Sequence, residues 1–255
     1  MDIDNKDSLN FSVLVDANSY DFRKDTRVYI PFRGSYYKGK GTGLLNKQGK
    51  VIIPPEYNLI LGNFYEEGSL FRVAKISSCS YENSDKYIGY RYLWGVYNSL
   101  GQKIIPLIYH DIYTNENQSV FITIKNNTYT VFNGAGKVIV QPGMYSEIYQ
   151  YNYKGKYARV KKLIENNVEK YGVIDEKGQE VIRAIYDKIW PFRPEHYDYM
   201  MVEKYDKEMA QVKRYKIPFD NLDDIIPYTG SPRPPFSAME ERGELGELMS
   251  FNFDK

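Results

Sequence analysis

Cysteine and histidine are nearly absent from this chain: Cys79 stands alone, and His110 and His196 are the only histidines in 255 residues. A single cysteine excludes an intramolecular disulfide framework and fits a reducing compartment. The two histidines lie far apart with no cysteine beside them, which leaves no ligand set for a structural zinc ion. An excess charge of one sign is missing too, since 34 Lys and Arg against 33 Asp and Glu leave a formal net charge of +1. No global field therefore draws in nucleic acid or an anionic membrane. The start of the chain, Met1 to Asp7, is acidic and polar, and no apolar run behind it is long enough for a signal or membrane helix. The expectation is a soluble, cytoplasmic protein with no nucleic-acid partner and no membrane insertion. Removal of a signal sequence would leave the same composition and is compatible with a place outside the cytoplasm.

Tyrosine, in contrast, is abundant: there are 26, and aromatics make up 16% of the chain. Such a composition suits an all-β protein. Four segments repeat one pattern: Gly43 to Pro54, Trp94 to Pro106, Thr130 to Val140, and Tyr171 to Ile182. In each, Asn or Asp opens a turn (Asn46, Asn98, Asn133, Asp175) and Gly follows three residues later (Gly49, Gly101, Gly136, Gly178). The side-chain oxygen caps the turn's amides and the Gly takes a left-handed conformation, so the pattern predicts a type I turn with a bulge closing a β-hairpin. β-Branched pairs follow (Val51-Ile52, Ile104-Ile105, Val138-Ile139, Val181-Ile182), which predicts a strand buried on both sides. Tyr-x-x-Ile then recurs as Tyr57/Ile60, Tyr109/Ile112, Tyr145/Ile148 and Tyr186/Ile189. After it comes a strand that ends in lysine: Lys75, Lys125, Lys162 and Lys204. Each unit thus supplies at least three strands, and Phe11–Val15 with Arg27–Ile30 reads as a degraded first unit.

This pattern resembles the bacterial WG-repeat family over roughly residues 11–217, with the signature dipeptide intact at Trp94-Gly95 and nearly so at Tyr171-Gly172. The resemblance implies a β-rich repeat array and carries no catalytic residues with it. The expected fold is all-β, with tandem antiparallel hairpins in an open curved array, or alternatively a small β-propeller. Unequal unit lengths favour the open form. The repeat domain is expected to span 1–217. A Pro-rich linker and acidic tail are expected over 218–255, where Ser237 to Glu240 reads as a capping box opening a short helix toward Leu245, Leu248 and Met249.

Insertions at Pro31–Lys40, Ile76–Leu93 and Leu163–Lys170 are read as loops on one face of the array, and Cys79 is placed in such a loop. Residues 220–255 carry eight acids and three bases, a net of −5, which leaves +6 on residues 1–219.

No pattern predicts chemistry. His110-Asp111 and Glu195-His196 are sequence neighbours that point to opposite sides of a strand. Gly39 to Gly43 runs into a hairpin and not into the helix a phosphate loop needs. No enzyme activity and no cofactor or metal is expected. The favoured function is a non-enzymatic protein-binding scaffold. Its candidate interaction residues are a basic column (Arg72, Lys75, Lys125, Arg159, Lys162, Lys204), the aromatics Tyr90, Tyr92 and Trp94, and the tail's Leu245, Leu248 and Met249. The alternative is a carbohydrate-binding module in which Tyr90, Tyr92, Trp94, Tyr151 and Tyr153 stack on sugar rings.

Overall fold

The computed structural model describes residues 27–33, 41–81, 87–152, 154–192 and 198–229. Phe11–Val15, Tyr153, His196 and the tail residues Leu245, Leu248 and Met249 lie outside them. The described chain forms five antiparallel sheets in tandem, each an up-and-down meander, with no closed barrel. The first sheet holds β1 (Tyr29–Arg33), β2 (Thr42–Asn46) and β3 (Val51–Tyr57). The second holds β4 (Leu59–Leu61), β5 (Phe71–Tyr81), β6 (Tyr87–Tyr97) and β7 (Lys103–Tyr109). The third holds β8 (Asp111–Thr114), β9 (Val120–Lys125), β10 (Thr128–Asn133) and β11 (Val138–Val140). The fourth holds β12 (Glu147–Ile148), β13 (Tyr157–Leu163), β14 (Glu169–Asp175) and β15 (Glu180–Tyr186). The fifth holds β16 (Lys188–Ile189), β17 (Tyr199–Asp206), β18 (Gln211–Pro218) and β19 (Ile226–Pro227).

The turns form as their chemistry requires. Asn133 Oδ1 accepts the amides of Ala135 (3.1 Å) and Lys137 (2.9 Å), and Gly136 N–H donates to Asn133 O at 2.8 Å. Asn46, Asn98 and Asp175 make the same bonds, and the four turn glycines have φ between 78° and 80°. These glycines serve a second purpose, because each later turn nests on the preceding unit. A Cβ on Gly178 would lie 2.7 Å from Ile139 O, and Gly101 and Gly136 abut the carbonyls of Ile52 and Ile104 in the same way.

Four apolar seams hold the stack. Leu44, Ile53 and Tyr57 of the first sheet pack on Ile60, Phe71 and Val73 of the second, and the Tyr57 and Tyr97 hydroxyls meet across this seam at 2.7 Å. The next seams join Val96, Ile105 and Tyr109 to Ile112 and Phe121, then Ile122 and Val131 to Ile148 and Val160. The last joins Val173, Ile182 and Tyr186 to Ile189, Met200 and Val202. Burial of each such side chain contributes roughly 1.5–3 kcal/mol, so a seam of six or more outweighs any one turn. All four Tyr-x-x-Ile pairs are buried in these seams.

The sequence unit is offset from the sheet. The segment from Trp94 contributes the end of β6 and β7 to the second sheet, then β8 and β9 to the third, so every unit stitches two neighbouring sheets covalently.

The Gly of the aromatic-Gly dipeptide is explained by register. Trp94 faces Tyr109 while Val96 faces Ile105, so two residues of β6 span four of β7. The bulge brings backbones together, and a Cβ on Gly95 would lie 2.9 Å from Ile105 O; on Gly172 it would lie 2.8 Å from Ile182 O.

Some expectations need correction. The residues after each turn are not uniformly buried on both sides: Val51 is exposed and Ile53 buried, whereas Val138 and Ile139 are each half-buried, against the second and third seams. The segment from Ile76 to Leu93 is not a loop insertion, since it lengthens β5 and β6 to 11 residues each. Cys79 consequently lies on a strand and pairs with Tyr90 in the backbone ladder. Residues 218–229, expected to open the linker, belong to the fifth sheet: Phe219 is buried in the last seam and β19 pairs with β18.

Candidate interaction surface

Register places the four lysines together. The inner pairs Ile60/Val73, Ile112/Thr123, Ile148/Val160 and Ile189/Val202 are equivalent, and Lys75, Lys125, Lys162 and Lys204 each follow two residues later, at the same end of their sheets. Half of this charge is already engaged. Lys75 Nζ lies 3.1 Å from Glu56 and over the Tyr57 ring, and Lys162 Nζ lies 3.0 Å from Glu180 and over Tyr145. Lys125 and Lys204 are exposed.

Arg72 and Arg159 do not belong to this surface. Strand alternation turns them toward the following sheet, where Arg72 Nη1 donates to Ile112 O at 2.9 Å and Arg159 Nη1 to Ile189 O at 3.0 Å. Arg159 is 8% exposed. These guanidinium groups are joints between sheets, and burial draws the Arg72 pKa below its ordinary value.

The signature aromatics seal seams. Trp94 and Tyr129 sit half-buried at the rims of the second and third seams, and Tyr171 sits at the rim of the fourth. Tyr92 lies 6.1 Å from Trp94 at 50°, a tilted pair with no common stacking plane. Tyr151 packs on the third seam and its hydroxyl donates to Asp175 O at 2.9 Å. Of Tyr90 only the backbone is described.

A cluster that the sequence reading missed lies on the fourth sheet. Tyr149 stacks on Tyr171 (6.5 Å, 18°), Arg159 lies 4.3 Å from the Tyr149 centroid, and Lys161 reaches both rings. Glu147 accepts from Tyr149 Oη at 2.9 Å and pairs with Lys161 at 2.5 Å. Burial first, then Glu147, pushes the Tyr149 phenol up. For Lys161 burial acts downward, but Glu147 and Tyr149 outweigh it and hold the ammonium above its usual range. A neutral phenol and an ion pair thus coexist at neutral pH. The only sequence signal was Tyr149 directly after the anchor Ile148, a place that also holds Tyr113 and Trp190.

The hairpin tips beyond the lysine column differ from sheet to sheet. The third sheet closes on Asn126-Asn127, both at positive φ, as a tight two-residue turn. The fourth closes on Ile164 to Val168 around one 3-10 turn, with Ile164 N–H donating to Val168 O at 2.9 Å. The fifth closes at Asp206, whose Oδ1 accepts from Glu208 and Met209 and whose Oδ2 pairs with Lys213 at 2.6 Å. Leu163, Ile164 and Val168 on the fourth hairpin and Tyr205, Met209 and Val212 on the fifth are exposed by 41–61%.

His110, between β7 and β8, and Asp111, the first residue of β8, are exposed, and no group of three metal-ligating side chains occurs among the described residues. Nor, among those residues, is any helix long and apolar enough to cross a membrane.

The family comparison agrees with the repeat reading. The family model described as WG containing repeat matches residues 43–75, 94–129, 129–163 and 171–207. No curated protein matches the chain. A solved structure described as a crystal structure of the eukaryotic initiation factor is similar at 11% identity and a TM-score of 0.38, over 78% of this chain and 50% of that one. The chain therefore spans half the length of that structure's chain.

Proposed function

The chain belongs to the WG-repeat family, and from that premise we propose that it is a non-enzymatic protein-binding module that docks its partner on the hairpin tips of the fourth and fifth sheets. One observation carries the proposal: six of the fifteen exposed large apolar side chains among the described residues lie on these two hairpins. The two hairpins belong to neighbouring sheets that the fourth apolar seam joins. Isolated exposed apolar residues are ordinary on a protein surface, whereas a contiguous group rimmed by charge marks a contact site. Lys162 and Lys204 form that rim.

The sugar-binding alternative gains no support from the fourth-sheet cluster. A pyranose needs an open ring face, and the Tyr149 and Tyr171 faces are occupied by each other, Arg159 and Lys161. The test is a photo-crosslinking residue at 209, with one at the opposite end, at 100, as control. Crosslinks to a protein partner are expected from 209 and lost when Leu163→Asp and Val168→Asp are added. Equal crosslinking from both sites would defeat the proposal.

A further inference from the structure

We propose that the outer edge of the fourth sheet, strand β15, takes up an extended segment of a protein partner as an added strand, with an acidic side chain of that segment opposite Arg183. This contact is separate from the hairpin tips and goes beyond the docking assigned to them.

The other sheet edges are blocked. β3, β7, β11, β15 and β19 are the last strands of their sheets, each with one side unpaired. Pro54, Pro106 and Pro142 stand three residues before the anchor tyrosine in the first three units, and Pro227 lies on β19. A proline on an edge strand has no N–H to offer a further strand, and a short edge has little to pair with. β11 stops after three residues, just ahead of Pro142. β15, in contrast, runs for seven residues without a proline, and Arg183 takes the place of Pro54 and Pro106.

Backbone direction makes that exchange matter. A Cβ on Gly172 would lie 2.8 Å from Ile182 O and 3.0 Å from Ala184 N, so this carbonyl and this amide point toward β14. Alternation then turns the N–H and C=O of Arg183 and Ile185 to the open side. The equivalent contacts of Gly95 are with Ile105 O and Leu107 N, and Pro106 between them fits in β7 because its nitrogen faces outward. Among the described residues no strand pairs with the outer side of β15. Such a row of unpaired donors and acceptors is a template for main-chain addition.

Side chains select the occupant. Ile182, Ala184 and Tyr186 are buried, whereas Arg183 is exposed and Ile185 is 42% exposed. Glu180 and Asp187, at the two ends of the strand, are held by Lys162 and Lys170. No ion pair or hydrogen bond engages the Arg183 guanidinium among the described residues. A second copy is disfavoured, since pairing Val181 with Ile185 in both copies sets Arg183 against Arg183, and like charges directly opposite destabilise a sheet. A register moved by two residues leaves only Arg183 and Ile185 to pair. A segment with an acid opposite Arg183 and an apolar residue two positions away, over Ile185, satisfies both exposed groups. The ladder then supplies the hold and the charge pair fixes the register.

Amide NMR of the full chain tests this with two capped heptapeptides, Thr-Val-Thr-Glu-Thr-Val-Thr and the same peptide with Lys in place of Glu. Saturable shifts are expected at Val181, Arg183 and Ile185 and at their neighbours on β14. The Glu peptide should bind at least ~5-fold more tightly than the Lys peptide, and Arg183→Glu should reverse that preference. Arg183→Pro restores the residue that β7 accommodates at this place, so the sheet should keep its amide spectrum while peptide binding is lost. Undiminished binding by Arg183→Pro, shifts centred away from β14 and β15, or no saturable shift with either peptide would overturn the proposal. So would a wild-type dimer in sedimentation that Arg183→Pro converts to monomer, because the edge would then belong to a second copy.

Discussion

The third sheet and its neighbours on either side are built from one pattern, yet their outer strands differ. β7 and β15 run for seven residues each, whereas β11 stops after three. Two local changes accompany the short strand. Thr130 occupies the place of Gly95 and Gly172, and the interval from the buried residue after the turn to the anchor tyrosine is five residues (Val140 to Tyr145) in place of four (Ile105 to Tyr109). A side chain at the Gly position cannot coexist with the close backbone approach of the bulge. In the third sheet the outer strand instead leaves the ladder through Gln141 to Met144, with Gly143 at φ 78°. The anchor is kept all the same: Tyr145 is 4% exposed. The comparison teaches that the dipeptide's Gly sets the length of the outer strand and does not decide whether the sheets stack.

The largest effect should come from copying the third sheet into the fourth. Gly172→Thr places a Cβ against Ile182 O and the backbone of Ala184, and should cost roughly 2–3 kcal/mol in chemical denaturation. Amide exchange should then show β15 losing protection beyond Ile182 while the seam residues keep theirs. Next, Gly178→Ala combines a left-handed backbone with contact against Ile139 O, for a loss of about 2 kcal/mol. Asn98→Ala and Asn133→Ala each remove two bonds to turn amides, and Asn98→Ala also an exposed bond to Gln102 Oε1, for about 1 kcal/mol each. The third-sheet variant should melt lower, because β11 has fewer residues to compensate.

The smallest effect concerns the residue after each anchor tyrosine. Asn58 accepts the Ile76 amide at 2.8 Å, and Asp187 accepts the Tyr205 amide at 2.6 Å, but only Asp187 titrates. Burial raises its pKa, and Lys170 and the Tyr205 N–H outweigh that, leaving it below the ordinary carboxylate value. A depressed folded-state pKa stabilises at neutral pH and loses that contribution as pH falls below about 4. Asp187→Asn should flatten the acid limb of a stability profile slightly, and an unchanged limb would show that the junction does not titrate.

Turn chemistry was legible because it is local: Asn or Asp and Gly at fixed separation leave the backbone little choice. Sheet membership was not legible, since a periodic chain looks the same whether four successive strands are grouped from the hairpin or from the anchor. Arg72 and Arg159 were misplaced for a related reason. One residue of alternation decides whether a side chain points along the surface or into the next sheet, and only register fixes it. Leu163 to Lys170 reads as an insertion in the sequence, but the exposure of Leu163, Ile164 and Val168 within it depends on how the neighbouring hairpins stand, which no local pattern encodes.

The half-sheet offset bears on how such a molecule can lengthen. The four matched segments supply β2 through β17, while β1, β18 and β19 come from outside them. Copying one segment in place would add one complete layer and leave both ends as they were, because the new strands complete each other's halves. The ends can never be made by copying: any number of segments leaves an open half at each extremity, and unrelated sequence must evolve separately to finish it.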